Sequence, residues 1–163
     1  MSQQKDYSQN IIKARVAETI IQELFIQNGY NVFNYGMERT MPTLVGKLNR
    51  NTDEVSTAIR SMPDFVVQHI ESGELLYVEV KFRSSGKFDI KELLINFPYE
   101  NAHFIIVSKN AIKCISFKDL KNGEVIEKDD NRLISNYPAF QLSDSSIERF
   151  LGYINNFFGF VKA

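Results

Sequence analysis

Residues 102–107 constrain the fold more than any other part of the sequence, because they form an almost unbroken apolar run, AHFIIV. A strand with one face in water alternates apolar and polar residues, whereas a short continuous run is typical of a strand covered on both faces. A strand of that kind needs packing layers on either side of its sheet. Residues 112–117 predict a second strand after a short polar break, so an α/β fold is expected.

The first third of the chain predicts one helix and one strand before an irregular stretch. Residues 9–28 favour a helix, with Ser8 as a plausible N-cap and Gly29 just past its end. The alternating residues 30–35 predict a strand. Residues 36–62 match no clear pattern, and we interpret them as an insertion on the rim of the fold.

Two further helices are predicted in the second half of the chain. Residues 89–97 place apolar side chains at helical spacing before Pro98, which would close the helix. Ser145 and Glu148 form a capping-box pattern at the start of a C-terminal helix, expected within residues 143–161. Its apolar residues fall on one stripe, so this helix is expected to dock on the core.

A β-hairpin is predicted near the middle of the chain. The apolar run at residues 65–67 and the β-forming residues 75–82 flank a turn that contains Ser72 and Gly73. A symmetric turn centred on these two residues fixes which residues of the two strands face each other.

This register brings three polar side chains together. It places Asp64 opposite Lys81 and Val66 opposite Glu79, and side chains repeat on one face every two residues. Asp64, Glu79 and Lys81 therefore share a face, with the two carboxylate-bearing residues about 7–8 Å apart diagonally, close enough to share one cation.

The first helix supplies a fourth member of this group. Its three-four spacing places Ile11, Ala14, Ile21 and Phe25 on one apolar seam, which Glu18 interrupts. Burying an ionised glutamate costs several kcal/mol unless it is paired or bound to a metal, so Glu18 needs a partner at the sheet. Either Lys81 or a shared cation fits that need.

These motifs resemble the PD-(D/E)XK nuclease superfamily, and within it the small Holliday-junction resolvases. The resemblance spans residues 10–117 and is carried by Ala17-Glu18, Asn28-Gly29-Tyr30, Pro63-Asp64-Phe65 and Glu79-Val80-Lys81. It implies a restriction-endonuclease-like fold, a three-layer α/β/α sandwich around a central mixed sheet, with residues 1–163 as one domain. It also implies hydrolysis of a phosphodiester with Mg²⁺, for which Mn²⁺ can substitute.

The four residues suit that chemistry. A hard cation polarises the phosphoryl oxygen and acidifies a water molecule, and carboxylates are the ligands that Mg²⁺ prefers. Asp64 and Glu79 are the expected metal ligands, and Glu18 is expected to hold a second metal or a metal-bound water. Lys81 is expected to orient or deprotonate the attacking water, or to neutralise charge in the transition state. All four residues are therefore candidate catalytic residues.

The charge distribution locates a candidate DNA-binding surface. The whole chain has a net charge of −1, which excludes binding of nucleic acid by bulk positive charge, but residues 81–121 hold eight basic and four acidic side chains. The candidate phosphate contacts are Arg83, Lys87 and Lys91, with Lys109 and Lys113 as further possibilities.

Two other functions fit the same sequence. The chain could be a catalytically inactive nucleic-acid-binding module of the same fold, or an assembly subunit that forms a homodimer through its C-terminal helix. Phe150, Phe157, Phe158 and Phe160 would supply that surface if they were exposed. The sequence contains no run of about 18 apolar residues and no signal-peptide pattern, so a cytoplasmic protein without membrane association is expected.

Overall fold

The computed structural model describes residues 2–36, 48 and 53–159. Within these residues the chain forms four helices and five strands, which we number in chain order. They are α1 (Ser2–Gln27), β1 (Tyr30–Asn34), α2 (Glu54–Arg60), β2 (Phe65–His69), β3 (Leu75–Phe82), β4 (Ala102–Val107), β5 (Ile112–Ser116), α3 (Phe117–Lys121) and α4 (Asp144–Phe158).

The five strands form one mixed sheet in the order β1-β2-β3-β4-β5. β3 and β4 run parallel, and the other neighbouring pairs are antiparallel. The parallel pair requires the chain to cross from one end of the sheet to the other between β3 and β4. The predicted α/β class and the mixed sheet are confirmed.

β4 shows why the sheet is covered on both faces. Ile105 and Val107 belong to a first core, which lies between the sheet and helices α1 and α4. Phe104 and Ile106 belong to a second core, which α3 and residues 88–99 cover on the opposite face. The expectation that this apolar run is buried on both sides is confirmed, since all four side chains are at most 1% exposed.

Helix α1 begins at Ser2, so the prediction that Ser8 caps it was wrong. Its predicted end is confirmed. The Asn28 side chain donates to the Leu24 carbonyl at 2.7 Å, and Gly29 adopts a φ of 82°, which favours glycine. The Asn28 side chain also accepts from the Ser143 amide at 2.8 Å, which ties the end of α1 to the start of α4.

Helix α4 is capped two residues earlier than the sequence indicates. The hydroxyl of Ser143 accepts from the Ser146 amide, so the predicted cap formed by Ser145 and Glu148 was wrong. The predicted docking on the core is confirmed, although Phe157 is 62% exposed. The buried stripe of α4 consists of Ile147, Phe150, Ile154 and Phe158.

The helix predicted over residues 89–97 is absent, and only a 3₁₀ turn at Ile90–Glu92 forms there. The Asp89 carboxylate accepts from the Lys91 amide and closes this turn, after which Leu93 is extended. In the observed segment Leu93 and Phe97 pack against the second core, whereas Ile95 is 88% exposed.

Helix α2 lies within the predicted rim insertion, and Asp53 caps it by accepting from the Ser56 amide at 2.9 Å. Residues 37–47 and 49–52 of that insertion lie outside the described part of the chain, and so does Phe160. Among the helices that the structure describes, none combines the length and apolar character needed to cross a membrane.

Phe150 faces the core and Phe157 faces solvent on α4, so truncating these two side chains should change the free energy of unfolding by different amounts. Phe150→Ala should lower the free energy of unfolding by about 3–5 kcal/mol, because Phe150 is 2% exposed and leaves a cavity in the first core. Phe157→Ala on the same helix should change it by less than about 0.5 kcal/mol. Urea unfolding measures both values, and equal costs would contradict this assignment of the buried stripe.

Candidate functional site

The β2–β3 hairpin has a longer turn than the sequence predicts. Phe65 faces Val78, and the last ladder contact runs from the His69 amide to the Glu74 carbonyl at 3.0 Å. Four residues therefore form the turn, with Gly73 at a φ of 71° and its amide bonded to the His69 carbonyl. The predicted register was wrong by two residues, because Gly73 occupies the left-handed position at the end of a longer loop instead of the centre of a tight turn.

A shift of two residues leaves every side chain on its predicted face. Val66 faces Tyr77 instead of Glu79. Continuing the observed register by one residue sets Asp64 opposite Glu79 instead of Lys81. Asp64, Glu79 and Lys81 therefore share one face of the sheet, as predicted.

Reciprocal hydrogen bonds join Asp64 to β3. The Asp64 amide donates to Glu79 Oε2 at 3.1 Å, and the Val80 amide donates to Asp64 Oδ2 at 2.8 Å. On the other side, the Asp64 carbonyl accepts from the amides of Tyr35 and Gly36, at 2.9 and 3.3 Å. Asp64 is thus fixed from both neighbouring strands, and its carboxylate cannot turn away without leaving the Val80 amide unpaired.

Lys81 and Glu18 complete the cluster of charged groups. The Lys81 ammonium forms a close ion pair with Glu79 Oε1. The Glu79 side chain is 13% exposed and that of Lys81 is 31% exposed, so the pair lies at the edge of the protein interior. Glu18 on α1 is near enough to act electrostatically on Asp64. The structure therefore brings Asp64, Glu79 and Lys81 together, with Glu18 near enough to influence Asp64, and we call these four residues the carboxylate–lysine cluster.

The cluster perturbs the pKa values of two of its members. Burial raises the pKa of Asp64 well above its usual value, and the charges of Glu79 and Glu18 raise it further, while Lys81 and the Val80 amide only partly oppose them. Burial acts to lower the pKa of Lys81, but Glu79 and Asp64 outweigh it, so the net pKa of Lys81 is raised. The ammonium form of Lys81 is therefore favoured in this arrangement.

The donor set fits a divalent cation. Three carboxylates and one ammonium give a formal charge of −2 when all are ionised, and burial together with the charges of Glu79 and Glu18 raises the pKa of Asp64. Carboxylate oxygens are the ligands of Mg²⁺ and Mn²⁺. Within the described ranges, no three His, Cys, Asp or Glu side chains already form a metal-binding group. A cation would have to compete with Lys81 for Glu79 Oε1.

The predicted phosphate contacts lie on the segment that follows β3. Arg83 is close enough to Lys81 to act on its pKa, and its Nε pairs with Glu92 at 2.6 Å. Lys87 Nζ pairs with Glu127 at 2.6 Å, and the Lys91 side chain is exposed. A phosphate would therefore exchange with carboxylate partners at Arg83 and Lys87.

Lys113 cannot contact a phosphate, so that possibility was wrong. Its side chain is 4% exposed, and its ammonium pairs with Asp130 at 2.9 Å. It also donates to the carbonyls of Glu127 and Lys128 at 2.6 and 2.8 Å. Lys113 instead anchors the segment after α3 to the sheet, while Lys109 remains partly exposed.

Sequence reasoning did not anticipate three tyrosines that border the carboxylate–lysine cluster. The rings of Tyr35, Tyr77 and Tyr99 pack together, with centroids 5.3–6.3 Å apart. Tyr77 lies on the same face of β3 as Glu79, two residues earlier. The two-residue spacing of Tyr77 and Glu79 was visible in the sequence. Tyr35 and Tyr99 lie in distant segments, and no nearby sequence pattern indicates that they pack against Tyr77.

The chain matches no protein-family model, no curated protein and no solved structure. The functional argument therefore depends on the geometry of the site.

The raised pKa of Asp64 predicts that neutralising this residue stabilises the metal-free protein. The folded state binds this proton more tightly than the unfolded chain, so stability declines as pH rises above the usual aspartate pKa. Asp64→Asn keeps an acceptor for the Val80 amide and should raise the Tm in EDTA at neutral pH by about 2–4 °C.

Asp130→Asn is the matched control, and it should lower the stability of the protein whereas Asp64→Asn should raise it. Burial acts to raise the pKa of Asp130, but bonds from Lys113 and two backbone amides outweigh it and lower the pKa. Ionised Asp130 therefore stabilises the folded state at pH values above the usual aspartate pKa, and this stabilisation is lost as the pH falls and the carboxylate is protonated. Its substitution should cost about 1–3 kcal/mol at neutral pH, because Lys113 loses its countercharge but keeps two carbonyl acceptors. Destabilisation by both variants would contradict the charge assignment at Asp64.

Proposed function

We propose that this protein is a metal-dependent DNA nuclease of restriction-endonuclease-like fold, with the carboxylate–lysine cluster as its active site. The observation that supports this most is the hydrogen-bonded juxtaposition of Asp64 and Glu79, with Lys81 on the same face. Two acids held together against their mutual repulsion are an unfavourable arrangement for stability alone, and such arrangements are concentrated at functional sites.

Asp64 and Glu79 would hold the metal ion, with Glu18 as a further ligand or as a ligand of its water shell. When bound, Mg²⁺ supplies a positive charge that polarises a phosphoryl oxygen and lowers the pKa of a water molecule. The reciprocal hydrogen bonds keep the Asp64 and Glu79 carboxylates oriented before substrate arrives, so no reorganisation of these two groups is required during the reaction.

Lys81 acts on the phosphate in this proposal. Its raised pKa keeps it protonated when Glu79 is its partner, so its ammonium can donate to a phosphate oxygen and offset charge that develops during hydrolysis. While Lys81 pairs with Glu79, this supports the role of stabiliser over that of general base. Arg83, next to Lys81, and the exposed Lys91 would position the DNA backbone without reading its sequence.

The ion pair between Lys81 and Glu79 also favours a second candidate function. In an inactive nucleic-acid-binding module, Lys81 would remain the permanent partner of Glu79, and the cluster would only join β2 to β3. DNA binding that survives Glu79→Ala, without metal binding by the native protein, would favour this candidate.

Cleavage assays test the nuclease proposal. Branched, single-stranded and duplex DNA are incubated with the protein and Mg²⁺ or Mn²⁺. Asp64→Ala and Glu79→Ala should each lower the cleavage rate by about 10³-fold or more, since a catalytic cation contributes several kcal/mol. Glu100→Ala, which removes a carboxylate from an exposed pair with Lys121, is the control and should cleave normally. Cleavage of none of these substrates by the native protein would overturn the proposal.

Lys81→Met separates metal binding from chemistry. The variant removes the cation that pairs with Glu79, so it should bind Mn²⁺ at least as tightly as the native protein. It should nevertheless cleave DNA about 10²-fold more slowly or worse, because it cannot stabilise the developing charge. Electron paramagnetic resonance of free Mn²⁺ measures the affinity, and a variant that keeps full activity would exclude Lys81 from the reaction.

A further inference from the structure

Tyr35, Tyr77 and Tyr99, which we call the tyrosine cluster, form an aromatic surface directly beside the carboxylate–lysine cluster. Tyr77 is separated from Glu79 by about 7 Å along β3, the length of two residues in a strand. The Tyr35 amide donates to the Asp64 carbonyl at 2.9 Å. The aromatic and acidic groups therefore occupy neighbouring positions on the same face of the sheet.

The three rings are only half-buried, unlike the phenylalanines of the adjacent second core. Phe88 and Phe104 fill that core and are at most 2% exposed. Tyrosine suits a boundary position because its ring packs on apolar atoms while its hydroxyl stays hydrated or bonded. Part of the aromatic surface is thus accessible next to the charged groups.

The tyrosine cluster also contacts α2. The Tyr99 hydroxyl donates to the Ala58 carbonyl at 3.2 Å. Burial raises the pKa of Tyr77 and of Tyr99, and Tyr35 lies close enough to raise both further. The bond to Ala58 attaches α2 to the segment that carries Tyr99. The partly exposed rings are therefore the aromatic surface that this cluster offers to a ligand.

We propose that the tyrosine cluster stacks against an unpaired base of the DNA substrate, adjacent to the phosphate that is cleaved. This inference depends on the proposed nuclease function. The separation of Tyr77 from Glu79 is comparable to the length of one nucleotide, so a base on the rings would place its neighbouring phosphate at the carboxylates. Bases within a duplex are already stacked on each other, so an aromatic surface selects single-stranded, flapped or frayed DNA.

Binding of an oligothymidylate of about 12 nucleotides, compared with a duplex of the same length, tests the proposal in EDTA. Tyr77→Leu should weaken binding of the single strand by about tenfold and leave duplex binding within about twofold. Tyr153→Leu is the control, since Tyr153 is 44% exposed on α4. Unchanged single-strand binding by Tyr77→Leu would overturn the inference.

Two variants of Tyr99 distinguish stacking from the attachment of α2. Tyr99→Phe keeps the ring and removes the hydroxyl that bonds to Ala58, whereas Tyr99→Leu removes both. Stacking predicts that Tyr99→Phe binds the oligothymidylate normally while Tyr99→Leu binds several-fold more weakly. Equal weakening by both variants would show that only the attachment matters and would overturn the inference.

A fluorescent variant reports on the contact itself. The sequence contains no tryptophan, so Tyr77→Trp introduces a single one beside the site. Its emission should be quenched by saturating oligothymidylate, and unchanged emission would contradict stacking.

Failure of this inference is distinguishable from failure of the nuclease proposal. If the native protein cleaves DNA but Tyr77→Leu does not weaken its single-strand binding, only the stacking inference is wrong. If single-strand binding depends on Tyr77 but no DNA is cleaved, the nuclease proposal is wrong and only the binding of a base by the tyrosine cluster remains.

Discussion

Two hydrogen bonds across the open end of the β2–β3 hairpin hold the candidate site together. The Asp64 amide donates to the Glu79 carboxylate, and the Val80 amide donates to the Asp64 carboxylate. Pro63 would face Val80 if the ladder continued, but proline has no N–H to donate, and the strand pairing stops at Phe65. Side-chain carboxylates thus replace the missing ladder bonds. Burial, together with the nearby charges of Glu79 and Glu18, raises the pKa of Asp64 at this position.

The grouping of Asp64, Glu79 and Lys81 could be predicted from the sequence without the exact register. A shift of the pairing by an even number of residues leaves each side chain on the same face of the sheet. The turn of the hairpin is longer than predicted, which moved the pairing by two residues, yet Asp64, Glu79 and Lys81 remained on one face. A shift of one residue would have separated Asp64 from the other two. Glu18 lies near enough to act electrostatically on Asp64, although the apolar seam predicted around it is only partly buried, since Ile11 is 36% exposed.

Other features depended on tertiary packing and could not be predicted. Residues 89–97 have helical spacing, but Asp89 closes a single 3₁₀ turn and Leu93 continues in an extended conformation toward the second core. Lys113 was expected to be a surface cation and is instead buried against Asp130, which approaches only after the chain has folded back over β5. The tyrosine cluster is also assembled from three distant segments. The presence of the five strands and the burial of β4 followed more directly from local patterns.

The central claim is that Asp64 and Glu79 together bind a divalent cation. Anomalous diffraction from crystals soaked in Mn²⁺ tests it most directly, because the metal is located independently of any activity. The account predicts a Mn²⁺ peak between the carboxylates of Asp64 and Glu79, with the Lys81 ammonium withdrawn from Glu79 Oε1. Soaked crystals without such a peak, in which Lys81 still pairs with Glu79, would contradict it.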